Sequence, residues 1–159
     1  PVNMREGLMD NKTISEARDT LGALLRKPYE SLQADVYAKL EARGFPDVRP
    51  AHSSVFRYIR PQGSRVTDLA DSAQMTKQSM AYLAGSLKDL GYVRIVSDPD
   101  DKRAKLVVLT ARGHAVWDAL IELRDAAENA CAEMIGRKRM AELRAILKDL
   151  GTAIEASQR

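Results

Sequence analysis

The sequence predicts a mainly α-helical chain that carries one small β-hairpin, and three observations lead there. Apolar residues recur at steps of three and four over most of the length. Two threonines suited to cap helices, Thr67 and Thr76, stand only nine residues apart near the middle. Just after Gly91 the apolar period drops from near four to two, and helical spacing resumes after Thr110. With 159 residues, 45% hydrophobic and 30% charged, the chain is long enough for one domain with its own core.

From Ser15 to Arg43, Leu21, Leu25, Leu32, Val36 and Leu40 fall on one helical stripe, with Ser15 as N-cap. Pro28 lies inside it and is expected to kink or divide the helix, because it donates no N–H and its ring crowds the preceding turn. Gly44 followed by Phe45-Pro46 stops it. A short helix from near Pro50 turns Val55, Phe56 and Ile59 inward and ends at Pro61-Gln62-Gly63. Thr67 is expected to cap a helix over 68–73 with Leu69, Ala70 and Ala73 inside. Thr76 caps another from Lys77 to about Leu90 whose inner stripe is Met80, Leu83, Leu87 and Leu90. Gly91 suits the left-handed position that closes such a helix.

Two capped helices this close make a helix-turn-helix. Val93 and Ile95, a charged tip over 98–103, and Leu106 to Leu109 then form a hairpin, or wing. Thr110 caps a long helix striped by Val116, Leu120, Leu123, Ala127, Cys131 and Met134. Gly136 interrupts it, and a last helix from about Lys138 carries Met140, Leu143, Leu147, Leu150 and Ile154. The winged helix-turn-helix thus spans 51–113, between N-terminal helices in 1–50 and C-terminal helices in 114–159. Together they are expected to form one compact unit.

Composition narrows the function. One cysteine, Cys131, allows no intrachain disulfide and suits a reducing compartment. The longest aliphatic run, Leu106 to Leu109, falls far short of the ~20 apolar residues that span a bilayer. Residues 1–10 have no apolar stretch of the secretory kind, so a cytoplasmic location without membrane contact is expected. His52 and His114 have no nucleophile beside them, there is no Gly-rich phosphate loop, and no Cys or His pair has metal spacing. Asp98, Asp100 and Asp101 lack the glycine of a calcium loop, whose twelfth position here is Leu109. No enzyme activity, metal or cofactor is expected.

The net charge of +3 points weakly to an acidic partner, and the basic excess lies outside the C-terminal third. A helix fits the major groove, about 12 Å wide, and reads base edges when its outer face has hydrogen-bonding side chains free of core duty. The second helix of the pair has such a face in Gln78, Ser79, Ala81, Tyr82 and Ser86, with Thr76 and Lys77 at its start. Gln78 suits a bidentate bond to adenine, Ser79 donates or accepts, and Tyr82 reaches a base or a phosphate. Lys102 and Arg103 near the wing tip suit the negative potential of a narrow minor groove. Double-stranded DNA is the expected partner. The alternative is a winged helix that binds another protein and tolerates loss of Arg103.

The runs Val66-Thr67-Asp68-Leu69-Ala70, Met75-Thr76-Lys77-Gln78-Ser79-Met80, Leu83 to Leu87, Gly91-Tyr92-Val93, Asp98-Pro99-Asp100-Asp101-Lys102-Arg103-Ala104 and Leu109-Thr110-Ala111-Arg112-Gly113 resemble the MarR family of bacterial transcription regulators. The resemblance is strong over 64–114 and elsewhere rests on helix order and length. It implies that Arg103 enters the minor groove while Asp101 holds it in place. Many members have arginine where Tyr82 stands, so the usual guanine contact and operator sequence do not carry over. The family also implies a homodimer on a pseudo-palindromic operator, most simply as a repressor, released when a small ligand changes the dimer's geometry. The apolar stripe of the last helix independently asks for a second copy.

In proteins of this kind the region of His52 helps line an effector pocket between the dimer helices and the winged region. Tyr29, Tyr37, Phe56 and Trp117 are candidates for the same pocket. They would favour a small aromatic or phenolic anion, with Arg57 as its charge partner. Thiol-sensing members of the family that the chain resembles use a cysteine near the N-terminal helix, whereas Cys131 lies on the apolar stripe of the long helix, so thiol sensing is not expected.

Overall fold

A computed structural model of the protein describes residues 20–158. Helix α1, Leu21–Ala42, starts at Thr20, whose hydroxyl accepts the Ala23 N–H at 3.3 Å. The expected cap at Ser15 lies outside the described residues. Of the two outcomes expected of Pro28, division does not occur, since α1 runs on through it. The carbonyl that Pro28 leaves without its N–H partner belongs to Leu24, which is 57% exposed and can turn to water. Downstream, buried Val36, Tyr37 and Leu40 hold the helix against the rest of the molecule.

A 3-10 turn at Pro50–His52 leads into α2, Ser53–Tyr58, which buries Val55 and Phe56. The pair β1, Ser64–Arg65, and α3, Val66–Ser72, then differ from expectation, since α3 starts before Thr67 and Arg65 occupies its N-cap position without a side-chain bond to the helix's first turn. The cause is tertiary. Ser64 and Arg65 pair with Val107 and Leu106, and this third strand fixes where the helix begins. Helix α4, Lys77–Asp89, starts as expected at Thr76, whose hydroxyl accepts the Ser79 N–H at 3.1 Å.

Strands β2, Val93–Ser97, and β3, Lys105–Leu109, form the hairpin, with Val93 opposite Leu109 and Ser97 opposite Lys105. The sheet order is β1-β3-β2, all antiparallel. Helix α5, Ala111–Ile135, is capped by Thr110 as expected, and Gly136 separates it from α6, Arg137–Ser157.

Helices α3 and α4 end in the same way. Beyond α4, Gly91 takes a φ of 80° while its N–H bonds Lys88 O and the Tyr92 N–H bonds Leu87 O. This double closure of the last turn needs a left-handed residue. Beyond α3 the corresponding bonds run from Gln74 to Asp71 and from Met75 to Ala70, and the left-handed residue is Gln74, with φ 52°.

The core gathers Phe56, Leu40, Leu69, Met80, Leu87, Tyr92 and Leu120 from all sides of the winged region. At Gly113 a Cβ would stand 2.0 Å from Tyr92 O, so a side chain there would push the start of α5 off the wing. The stripe on α5 is buried from Val116 to Ala127, but Cys131 is half-buried and Met134 is 76% exposed. The helix has by then run past the core, and the inward position expected for Met134 does not hold. Helix α6 buries none of its side chains.

Candidate nucleic-acid interface

Helix α4 has two unlike sides. Met80, Leu83, Ala84 and Leu87 are buried, whereas Thr76, Lys77, Gln78, Ser79 and Ala81 are exposed, and Tyr82 is 76% exposed. The Thr76 hydroxyl donates to Ser79 Oγ at 2.8 Å, which leaves the Ser79 O–H proton free to donate outward. Ser86 does not share this face. It is half-buried, with its Oγ 3.2 Å from His52 Nε2.

The tip loop of the wing is held where it leaves β2 by a residue pair that sequence reasoning missed. Asp98 is buried, and its Oδ2 accepts from Arg65 Nε at 2.8 Å and Nη2 at 2.6 Å, while Oδ1 accepts the Asp100 N–H at 2.9 Å. The Asp100 N–H and the Arg65 guanidinium hold the Asp98 carboxyl below the usual carboxylate range. A turn-opening Asp is a recognisable local signal. Its partner, 33 residues away, is not.

Asp101 sits beside this pair, 3.8 Å from Arg65 Nη2, and accepts the backbone N–H of Arg103 at 3.1 Å. It therefore shapes the turn that carries Arg103 through the backbone N–H of that residue. Lys102 and Arg103 are exposed at the tip, and no described acidic residue pairs with either.

Behind α4, Tyr92 joins the helix end to both flanks. Its hydroxyl donates to Asp47 Oδ1, and Arg112 lies 4.4 Å from its ring centroid and 3.6 Å from Asp47 Oδ2. Burial, with Asp47 beside it, pushes the Tyr92 hydroxyl up to about 12. His52 is also buried, and its Nδ1 accepts the Arg49 N–H at 3.0 Å.

Two cavities flank α1. A cleft of about 740 Å³ opens between α1, the start of α2 and α4, lined among others by Tyr29, Gln33, Ser54, Gln78, Ser79 and Tyr82. A second cavity of about 470 Å³ lies between α1, α5 and α6. Buried Val36 and Ala127 are at its floor and exposed Leu24, Leu25, Leu143 and Leu147 at its rim. Arg57 and Arg124 line it, as does an ion pair between Arg144 and Glu128.

Of the residues expected in an effector pocket, Arg57 and Tyr29 line this cavity and the others do not. His52 is bonded to Arg49 and Ser86, Phe56 is fully buried in the core, and Trp117 packs edge-on to His114 with centroids 6.4 Å apart. Tyr37 is 7% exposed and its hydroxyl has no hydrogen-bond partner. Burial pushes that phenol up against the opposing pull of Arg124 and of Ser53, which lies near but outside bonding geometry. Among the described residues, no cluster of His, Cys, Asp or Glu could hold a metal ion, and no helix is long and apolar enough to cross a membrane.

The sequence model of the MarR family matches residues 47–104. The transcriptional activatory protein BadR of Rhodopseudomonas palustris is 35% identical over 60 residues, 38% of this chain and 34% of BadR. The transcriptional regulator HosA of Escherichia coli O111:H- is 32% identical over 93 residues, 58% of this chain and 67% of HosA. The chain thus aligns with about a third of BadR and two thirds of HosA.

Among solved structures, the fold is similar to the transcriptional repressor CouR bound to a 23-mer DNA duplex. The TM-score is 0.68 at 22% identity, covering 86% of this chain and 95% of that one. It is also similar to CouR from Rhodococcus jostii RHA1 bound to p-coumaroyl-CoA, with a TM-score of 0.66 at 24% identity over 83% and 92% of the two chains.

Proposed function

This chain belongs to the MarR family of transcriptional regulators, and we propose from that premise that it is a ligand-responsive repressor binding a pseudo-palindromic operator as a homodimer. The observation that carries the proposal is the outward face of α4. A buried stripe anchors the helix, and the opposite side presents Gln78, Ser79 and Tyr82 with no packing duty. A face of this kind suits base edges in the major groove. The wing adds exposed Lys102 and Arg103 on a tip loop fixed by Arg65 and Asp98, and such cations favour a narrow minor groove. Ser86 drops out of the reading surface because its hydroxyl faces His52. The role is regulatory and not catalytic, exercised in the cytoplasm where the operator lies.

The homodimer reading rests on apolar surface. Leu143, Ile146, Leu147 and Ile154 of α6 are exposed, together with Leu21, Leu24 and Leu25 of α1. A second copy is the occupant that removes both faces from water at once, and a two-fold pair sets recognition helices roughly 34 Å apart, one DNA turn. The copy covers the rim of the 470 Å³ cavity. The buried floor near Arg57 and Arg124 remains for an effector, an aromatic or phenolic anion whose charge meets the arginines and whose ring meets Val36 and Ala127. CouR, with DNA-bound and p-coumaroyl-CoA-bound structures, supports a ligand-responsive reading by analogy.

Two substitutions test the division of labour. Gln78→Ala is expected to lower discrimination between operator variants by about tenfold while leaving the salt slope unchanged. Arg103→Ala is expected to weaken binding to all variants and to reduce the salt slope by about one counterion. Equal loss on every variant for Gln78→Ala would refute base reading by that residue.

A further inference from the structure

The strand pairing of the wing ends at Ser97 and Lys105, so residues 98–104 lie beyond the ladder. Within that loop the Asp98 N–H donates to Ala104 O at 3.1 Å and the Ala104 N–H to Asp101 O at 2.8 Å. These bonds set the loop's shape but not where it points. Its direction is set by Arg65, which pairs with Leu106 as the last residue of β1, stands at the N-cap of α3, and sends its guanidinium to Asp98 Oδ2. One side chain thus ties the loop that carries Lys102 and Arg103 to the start of the helix against which α4 packs. The Arg65 side chain is 39% exposed, so water screens the pair, and its value lies more in geometry than in stability.

We propose that Arg65 and Asp98 are positioning residues that preset Arg103 for DNA and thereby set how strongly the protein discriminates minor-groove width beside each half-site. This rests on the operator reading given above. A loop free to move must be ordered on binding, which weakens affinity. A loop held to α3 meets the minor groove at the moment α4 meets the adjoining major groove. A-tracts narrow the minor groove and deepen its negative potential, and a guanidinium held at one place senses that difference where a wandering one averages it.

Asp98→Asn separates this role from a simple charge effect. Both oxygens of the carboxylate accept, Oδ2 from Arg65 and Oδ1 from the Asp100 N–H. An amide has one acceptor and one NH2 group, so it must set a donor against one of those partners. The same substitution removes a negative charge beside the wing tip, which by long-range attraction to a polyanion would tighten binding. The two effects have opposite signs.

The test uses the whole protein and its own upstream promoter duplex in two forms. They differ only in the base pairs adjoining each half-site, an A-tract in one and a G·C run in the other. The unmodified protein is expected to prefer the A-tract form by at least about fivefold. Asp98→Asn is expected to weaken binding to the A-tract form by about tenfold and to bring the two forms within about twofold of each other. In an Arg103→Ala background the same substitution is expected to change affinity by less than about twofold, because it acts through that side chain. Discrimination among base pairs facing α4 is expected to stay as in the unmodified protein, the sign of an intact helix-turn-helix.

Binding by Asp98→Asn as tight as that of the unmodified protein, or tighter, would overturn the proposal and leave the operator reading standing. A loss shared equally by the two forms, or repeated in full without Arg103, would also overturn it and make the pair a general support of the fold. An unmodified protein that prefers its promoter but ignores the adjoining base pairs would remove groove reading by the wing, and the proposal with it. Equal binding of promoter and scrambled duplexes would overturn the operator reading itself.

Discussion

His52 and Ser86 are each visible in the sequence as polar residues of interest, and folding spends them on each other. His52 Nδ1 accepts the Arg49 N–H, which assigns the ring proton to Nε2, facing Ser86 Oγ. Protonating Nδ1 would set two donors against one another. Burial lowers the His52 pKa below its ordinary value, with Asp47 pulling the other way and Arg49 adding to the burial effect. The unfolded chain therefore takes up this proton at higher pH than the folded one. The contribution to stability is complete above about 6.5 and is lost as pH falls through the lowered folded value. Urea midpoints at pH 7.5 and 5.5 are expected to show this loss, and His52→Gln to reduce it. An undiminished pH slope in His52→Gln would assign the effect elsewhere. Ser86 is 34 residues from His52, so sequence spacing carries no sign of their bond. A separation of 33 residues likewise hides Arg65 from Asp98. Gln78, Ser79 and Tyr82 were legible because their exposure follows from local periodicity alone.

At the scale of elements, the parts with long periodic stripes or clear caps were legible, including α4, the hairpin and α5. Two-residue β1 was not, since two residues have no period, and its pairing with β3 moves the start of α3 ahead of Thr67. Pro28 does not divide α1, because its local cost is set against packing that only the folded helix contributes. The turn between α3 and α4 contains a mismatch of its own, since Gln74 occupies a left-handed position that Gly91 fills at the end of α4. A residue with a Cβ pays about 1–2 kcal/mol for that conformation, part of which a glycine gives back in unfolded-state entropy. Gln74→Gly is expected to stabilise the protein by about 0.5–1 kcal/mol, seen as a rise in Tm of about 1–4 °C. Operator affinity should not change. A lower Tm would mean that the Gln74 side chain contributes more than its backbone costs.

At the scale of the whole molecule, the apolar stripe of α6 was legible from spacing, and the structure adds that no described element of the chain buries it. Exposed Leu143 and Leu147 on α6 stand across the cavity rim from Leu24 and Leu25 on α1. Leu143→Glu with Leu147→Glu would bring two carboxylates into the face assigned to the second copy. The double variant is expected to sediment as a monomer and, with half of its contacts gone, to lose on the order of 100-fold in operator affinity. A dimer of unchanged affinity would move the interface elsewhere. The identity of the operator was not legible, because Tyr82 replaces the arginine common in the family and base choice depends on a DNA partner. The most direct measurement is a fluorescence-anisotropy titration of the protein against its own upstream promoter DNA and a scrambled duplex, each at two salt concentrations. A strong preference for the promoter, at one dimer per site, is the expected result. Equal, weak and steeply salt-dependent binding to both duplexes would contradict sequence-specific regulation, and no binding to either would leave a winged helix that recognises protein.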